Sequence, residues 1–200
     1  YILAGAPKIG KSFLVAQIAH HVSTGQDLWG YKVHQGTVLY LALEDDESRL
    51  QRRMFRMFGV EGTNSLHFAT NAKMIGSGLD EQLEKFIREH SDTKLIIVDT
   101  LQKVREVVND SYSYSSDYEV IGKQFADRYG VCVLIVHHTR KQPAGDSFEM
   151  ISGTTGLLGC ADGALLMQKE KRTNSKATLE VVGRDQPDQR LYLSKDQESL

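Results

Sequence analysis

Two hundred residues with 40% apolar content and only three prolines suffice for one globular domain, read here as residues 1–200, with a single well-buried core. A formal net charge of −2 does not mark a nucleic-acid binder, because proteins that work by phosphate neutralisation are basic over the contacting face, so such a role must rest on local patches. With no apolar stretch able to span a bilayer and no basic leader ahead of an apolar block, nothing points to a membrane or to export.

Cys132 in an apolar run and Cys160 in a small-residue run read as buried, reduced thiols of a cytoplasmic protein, not as a disulfide or metal site. The chain opens directly on a core-type strand, so residues N-terminal to the domain are expected to be missing from it.

The first dozen residues organise the rest. Gly5-Ala6-Pro7-Lys8-Ile9-Gly10-Lys11-Ser12 fills every fixed position of G-x-x-x-x-G-K-[ST], with an apolar strand before it and a helical pattern (Phe13, Leu14, Ala16, Ile18, Ala19) after it, which is the context a P-loop requires. The glycines let the loop turn tightly and bring backbone N–H groups against phosphate oxygens, and the helix that begins there adds its free donors and positive dipole end. An anion is expected in the cradle Gly5–Phe13, with Lys11 on the β- and γ-phosphates and the Ser12 hydroxyl on Mg²⁺.

The P-loop helix is expected to end near Ser23-Thr24-Gly25, followed by a polar connection through Trp29 and Tyr31. Thr37–Leu43 is nearly continuous in apolar character, as a parallel strand covered on both faces should be. It runs into Glu44-Asp45-Asp46-Glu47. The last three acids read as favourable charges at the start of a helix over Ser48–Phe58. Glu44 follows the final strand residue, at the carboxyl edge where open α/β sheets bind ligands, and there a carboxylate can orient or deprotonate a water attacking the γ-phosphate.

In the next helix Leu50, Met54, Phe55, Met57 and Phe58 read as core, and the arginines between them as a solvated face from which one guanidinium can stack on a base. A short strand over Leu66–Thr70, a glycine-containing loop and an amphipathic helix over Leu79–His90 come next, with His67 and His90 structural or solvated. Lys94–Val98 then ends in Asp99, the second half of the P-loop NTPase pattern, with the carboxylate placed to support Mg²⁺.

Residues Leu101–Asp117 change character and become Ser/Tyr-rich, and a stretch of this length in a compact domain points to a functional loop, with Tyr112 and Tyr114 as base-stacking platforms or simply as loop residues. A helix over Tyr118–Tyr129 leads to the strand Val131–Val136 and then His137-His138. Adjacent strand residues point to opposite sides, so at most one of the two histidines faces the phosphates. A polar loop over Lys141–Ile151, a small-residue turn, a helix-like stretch over Leu157–Ala161 and three strands (Gly163–Gln168, Ala177–Gly183, Arg190–Leu193) close the chain. The three strands are expected as an antiparallel extension of the parallel sheet.

Gly5-to-Ser12, Leu43-Glu44-Asp45, Val98-Asp99-Thr100-Leu101 and His137-His138 occur in that order, and as a set they resemble the RecA-like ATPase core, in particular the RepA-type hexameric replicative helicases and related AAA-type domain proteins. The likeness covers essentially the whole chain. It implies an α/β RecA-like P-loop NTPase fold, with a mostly parallel central sheet flanked by helices and a C-terminal antiparallel extension. It further implies ATP and Mg²⁺ as ligands, single-stranded DNA as partner and a homo-oligomer, a hexamer in this family.

By the same resemblance Lys11 and Ser12 bind triphosphate and metal, Asp99 supports the metal, Glu44 is the catalytic carboxylate and His138 is the γ-phosphate sensor. Arg53 matches an arginine that packs on adenine, with Arg52 the alternative. Leu101–Asp117 and Arg140–Thr155 correspond to loops facing a central channel, with Lys141 a candidate DNA-phosphate contact. The trans-acting arginine of the plasmid helicase has no counterpart where Asp162 stands. Arg184 is the substitute candidate, against the competing reading of a surface ion pair. Two other functions fit the same set of residues: a RecA-like recombination, repair or regulatory ATPase without unwinding, and an ATP-dependent assembly module with slow turnover.

Overall fold

A computed structural model describes residues 1–60, 62–105, 117–139, 148, 151, 159–171 and 174–194. In chain order the elements are β1 (Ile2–Gly5), α1 (Lys11–Thr24), β2 (Thr37–Ala42), α2 (Glu47–Phe58), β3 (Leu66–Ala69), α3 (Leu79–Glu89) and β4 (Thr93–Asp99). A helix, α4, follows, π-helical over Glu119–Phe125 and α-helical over Ala126–Tyr129, and then come β5 (Cys132–His138), β6 (Gly163–Gln168), β7 (Lys176–Gly183) and β8 (Gln186–Ser194). The eight strands form one sheet in the order β3-β2-β4-β5-β1-β6-β7-β8.

Alternation along the strands divides the core into two layers. Leu3, Val38, Tyr40, Ile97 and Leu134 face one side, where they pack with Leu14, Val15 and Ala19 of α1 and Leu50 and Met54 of α2. Ile2, Leu39, Leu41, Ile96, Val98 and Ile135 face the other, under Leu79 and Leu83 of α3 and Tyr118, Ile121 and Phe125 of α4. Both faces are covered, which is why β2 and β4 are almost uniformly apolar.

All pairings from β3 across to β6 are parallel, whereas β6–β7 and β7–β8 are antiparallel. The antiparallel extension therefore consists of β7 and β8, and β6 belongs to the parallel sheet because it pairs directly with β1. β8 begins at Gln186, four residues before the expected Arg190. Pro187 and its polar neighbours read as a loop, yet they lie on an edge strand, where a missing N–H costs no ladder bond.

Both cysteines are free, but Cys132 is exposed and Cys160 only partly covered. This corrects the expectation of two buried thiols: Cys132 stands between the buried Val131 and Val133 and, by the alternation of a strand, points to the opposite side from them, where it is uncovered. Among the described residues no helix is long and apolar enough to cross a membrane.

Candidate active site

The parallel register brings the carboxyl ends of four strands to one rim. Gly5 pairs with His138 across β1 and β5, and Ala42 with Asp99 across β2 and β4, so the segments that follow these strands emerge side by side. Between β1 and α1, Lys8 and Gly10 have φ of 65° and 111°, left-handed values that make the loop curl around its own interior. Gly5 is required by close approach: an added Cβ would stand 2.5 Å from Ile9 Cδ1 and 2.6 Å from the Met167 carbonyl oxygen of β6.

Lys11 opens α1 and turns back into this loop. Its ammonium donates to the carbonyl of Gly5 at 2.7 Å, to that of Ala6 at 3.0 Å and to His138 Nδ1 at 3.1 Å. An ammonium has no lone pair, so Nδ1 is the acceptor and the ring carries its proton on Nε2. That nitrogen lies 3.8 Å from Glu44 Oε1, and the same carboxylate oxygen accepts from the Thr100 hydroxyl at 3.3 Å. Burial lowers the Lys11 pKa to about 8, although Asp99 and Glu44 pull it upward.

The Ser12 hydroxyl donates to Asp99 Oδ2 at 3.0 Å, and the buried Tyr40 hydroxyl donates to the same oxygen at 2.8 Å. Asp99 is 5% exposed. Burial raises its pKa, an effect opposed first by the hydrogen bonds from Tyr40 and Ser12 and then by Lys11. A hydroxyl and a carboxylate side by side at the mouth of the loop form the oxygen donor set that suits Mg²⁺. Lys11, Ser12, Glu44, Asp99 and His138 thus converge from distant parts of the sequence on one place, while His137 turns away and is buried.

Residues 1–144 match a family model described as AAA domain. The chain belongs to this AAA domain family.

Solved structures that share its fold include two of different kinds. One, the ATPase domain of another protein, superposes with a TM-score of 0.78 at 15% identity, over 99% of this chain and 81% of that one. The other, the RadB recombinase, gives 0.64 at 14% identity, over 96% and 85% respectively. Together they establish the fold as that of a RecA-like P-loop ATPase. No curated protein matches the sequence.

Beside the P-loop of this AAA domain lies a cavity of about 650 Å³, lined by Gly10 and Phe13 from the start of α1, Met57 from α2, Trp29 and Tyr31, and Tyr192 from β8. Trp29 and Gly30 occupy the centre of a tight turn with φ of 53° and 85°, closed by reciprocal backbone bonds between Leu28 and Tyr31. That geometry is a type I′ turn; the expected polar connection is a small hairpin holding two aromatic rings at the cavity. Arg53 lies over Phe13, its guanidinium 5.1 Å from the ring centre.

Asp45 holds Arg53 at 2.7 Å and Arg49 at 3.1 Å, with Asp45 and Arg53 both nearly enclosed. Of the acids expected to serve the start of α2, Asp46 does so by capping Arg49 N–H at 2.7 Å, and Glu47 occupies the first turn. Asp45 has the different task of fixing Arg53.

Arg184 lies far from Lys11 in the same chain. It follows Gly183, which pairs with Gly163 at the amino end of β6, so it sits at the opposite rim of the sheet. There it contacts Asp162 at 3.2 Å and the Gly159 carbonyl at 3.0 Å, and it remains half exposed. Tyr112, Tyr114, Arg140 and Lys141, with most of the two expected channel loops, fall outside the described residues.

Proposed function

We propose that this AAA domain is a Mg²⁺-dependent ATPase that acts as a ring-shaped homo-oligomer, a hexamer, on single-stranded DNA, in the manner of a replicative helicase. The observation that carries the reading is the convergence of a Lys11 ammonium, a Ser12–Asp99 oxygen pair and a Glu44–His138 pair on one rim. Mere nucleotide binding would need only the first of these.

In this reading the P-loop amides and Lys11 hold the β- and γ-phosphates, and Lys11 exchanges its carbonyl partners for phosphate oxygens as ATP enters. Ser12 and Asp99 hold Mg²⁺, which neutralises charge on the triphosphate when bound. Glu44 orients and deprotonates the attacking water. His138, bonded to Lys11 on one nitrogen and facing Glu44 with the other, registers the presence of the γ-phosphate. The nucleoside occupies the adjoining cavity against Phe13 and Tyr192, with Arg53 bracing Phe13 from behind.

Arg184, remote from its own pocket, serves the pocket of the next subunit, where it stabilises charge developing on the transferred phosphoryl group. The loops carrying Tyr112, Tyr114 and Lys141 contact DNA.

The deciding experiment measures ATP hydrolysis with and without a single-stranded oligonucleotide at two salt concentrations, together with strand displacement on a forked duplex. Stimulation by the oligonucleotide that fades at higher salt, with displacement of the strand, is the expected result. Absence of both stimulation and binding would reject the DNA reading. The likeness to a recombinase fold supports a second reading, a DNA-stimulated ATPase without unwinding, for which stimulation persists and displacement does not occur.

A further inference from the structure

Every residue of β2 is buried, and all but Thr37 at its start and Tyr40 at its centre are aliphatic. Tyr40 is 0% exposed, its ring tilted against Phe68 with centres 5.5 Å apart. Phenylalanine would fill this layer equally well. A phenol hydroxyl enclosed in it demands a partner, and the partner is Asp99 Oδ2 at 2.8 Å.

Among the described residues, Ser12 and Tyr40 are the two side chains that hydrogen-bond to the Asp99 carboxylate, and both use the same oxygen. They approach from different parts of the molecule. Ser12 belongs to the start of α1 beside the P-loop, and in the ATPase reading its hydroxyl oxygen is a ligand of the metal. Tyr40 belongs to the sheet, where β2 is locked to β4 by pairing from Val38–Leu95 to Ala42–Asp99.

Resting on the ATPase reading above, we propose that Tyr40 is a positioning residue for the metal site, its hydroxyl fixing the Asp99 carboxylate from the sheet side so that the carboxylate is already oriented when Mg²⁺ arrives. With Ser12 as sole donor, the carboxylate would be free to turn about its Cβ–Cγ bond whenever Ser12 engages a cation, and the Lys11 ammonium is close enough to attract it. A donor on the rigid strand removes that freedom. Outer contacts of this kind set metal affinity by pre-organising the inner ligand.

The test is Tyr40→Phe in the full chain, followed by calorimetric titration with ATP over a series of free Mg²⁺ concentrations and in EDTA. The Mg²⁺ concentration giving half of the metal-dependent gain in ATP affinity is expected to rise about tenfold. ATP affinity in EDTA is expected to stay as it was. Added to Asp99→Asn, the same substitution should produce no further shift, since its effect passes through Asp99.

An unchanged Mg²⁺ midpoint, or weakening of equal size with and without Mg²⁺, would overturn the proposal and leave Tyr40 as a packing residue. Failure of the unaltered chain to bind ATP under any condition would instead overturn the ATPase reading, and this inference with it.

Discussion

Among single residues, the proposed ATPase reading gives Lys11 and Glu44 separable duties. Lys11→Ala is expected to abolish ATP binding measured by calorimetry. Glu44→Gln should keep binding and cut turnover by about a hundredfold or more, the loss that goes with a general base; near-normal turnover in that variant would remove Glu44 from the chemistry. Lys11 also gives a pH signature. Its pKa in the folded chain is about 8, against an unfolded lysine near the ordinary ~10.4. Between those values the unfolded chain holds the extra proton, so the Lys11 contribution makes stability rise with pH across that window. ATP affinity should fall as pH passes upward through about 8, because the ammonium that meets the phosphates is being lost. Urea denaturation and ATP titration at pH 7, 8 and 9.5, compared with Lys11→Met, check both trends.

The placement of Lys11 and Ser12 was legible from the G-x-x-x-x-G-K-[ST] motif, and that of Glu44, Asp99 and His138 because each is a polar residue at or just beyond the end of an apolar strand, where a parallel sheet delivers its side chains to a common edge. Tyr40 and Asp45 were not. Tyrosine is an ordinary strand residue, and only the sheet order shows that its hydroxyl meets Asp99 on the neighbouring strand. Asp45 stands eight positions before Arg53, a spacing that crosses from a loop into the second turn of α2 and matches no simple helical pair.

At the scale of elements, the P-loop depends on β6 as well as on its own glycines. Gly5 lies against the Met167 carbonyl, and a backbone atom has little room to withdraw. Gly5→Ala is therefore expected to cost about 2 kcal/mol by overpacking, a drop of roughly 4–8 °C in Tm for a chain of this size, read by thermal denaturation. The Trp29 hairpin offers a direct optical report, since Trp29 is the one tryptophan of the chain and lines the cavity beside Gly10 and Phe13. ATP should alter its emission, whereas inorganic triphosphate, which has no base to enter the cavity, should leave it nearly unchanged; equal responses would place the nucleoside elsewhere. The cavity escaped sequence reading because its walls come from the start of α1, the Trp29 hairpin, α2 and β8, segments far apart in the sequence that only the fold brings together.

For the molecule as a whole, the layered sheet was readable from the unbroken apolar character of β2 and β4, while the parallel placement of β6 was hidden by the short links that made three strands look like one meander. Oligomer formation is the property on which turnover is expected to depend. Arg184→Ala and Lys11→Ala should each be nearly inactive alone, the first by a factor on the order of a thousand. Mixed together with ATP and Mg²⁺ they should regain part of the activity, because an intact pocket of one then meets the arginine of the other; no recovery in a mixture shown by mass to contain both chains would refute action between subunits.

The β7–β8 ribbon has a mechanical meaning. Its open end carries Tyr192 at the cavity beside the P-loop and its turn carries Arg184 at the far rim, about 20 Å away at the usual rise of a strand. β7 is also paired with β6 from Gly163–Gly183 to Gln168–Thr178, so its two ends are joined by a strand supported on both edges. In the ring proposed above, the ribbon that walls one nucleoside cavity would also carry the arginine offered to the neighbouring pocket, which gives the two sites a direct structural connection.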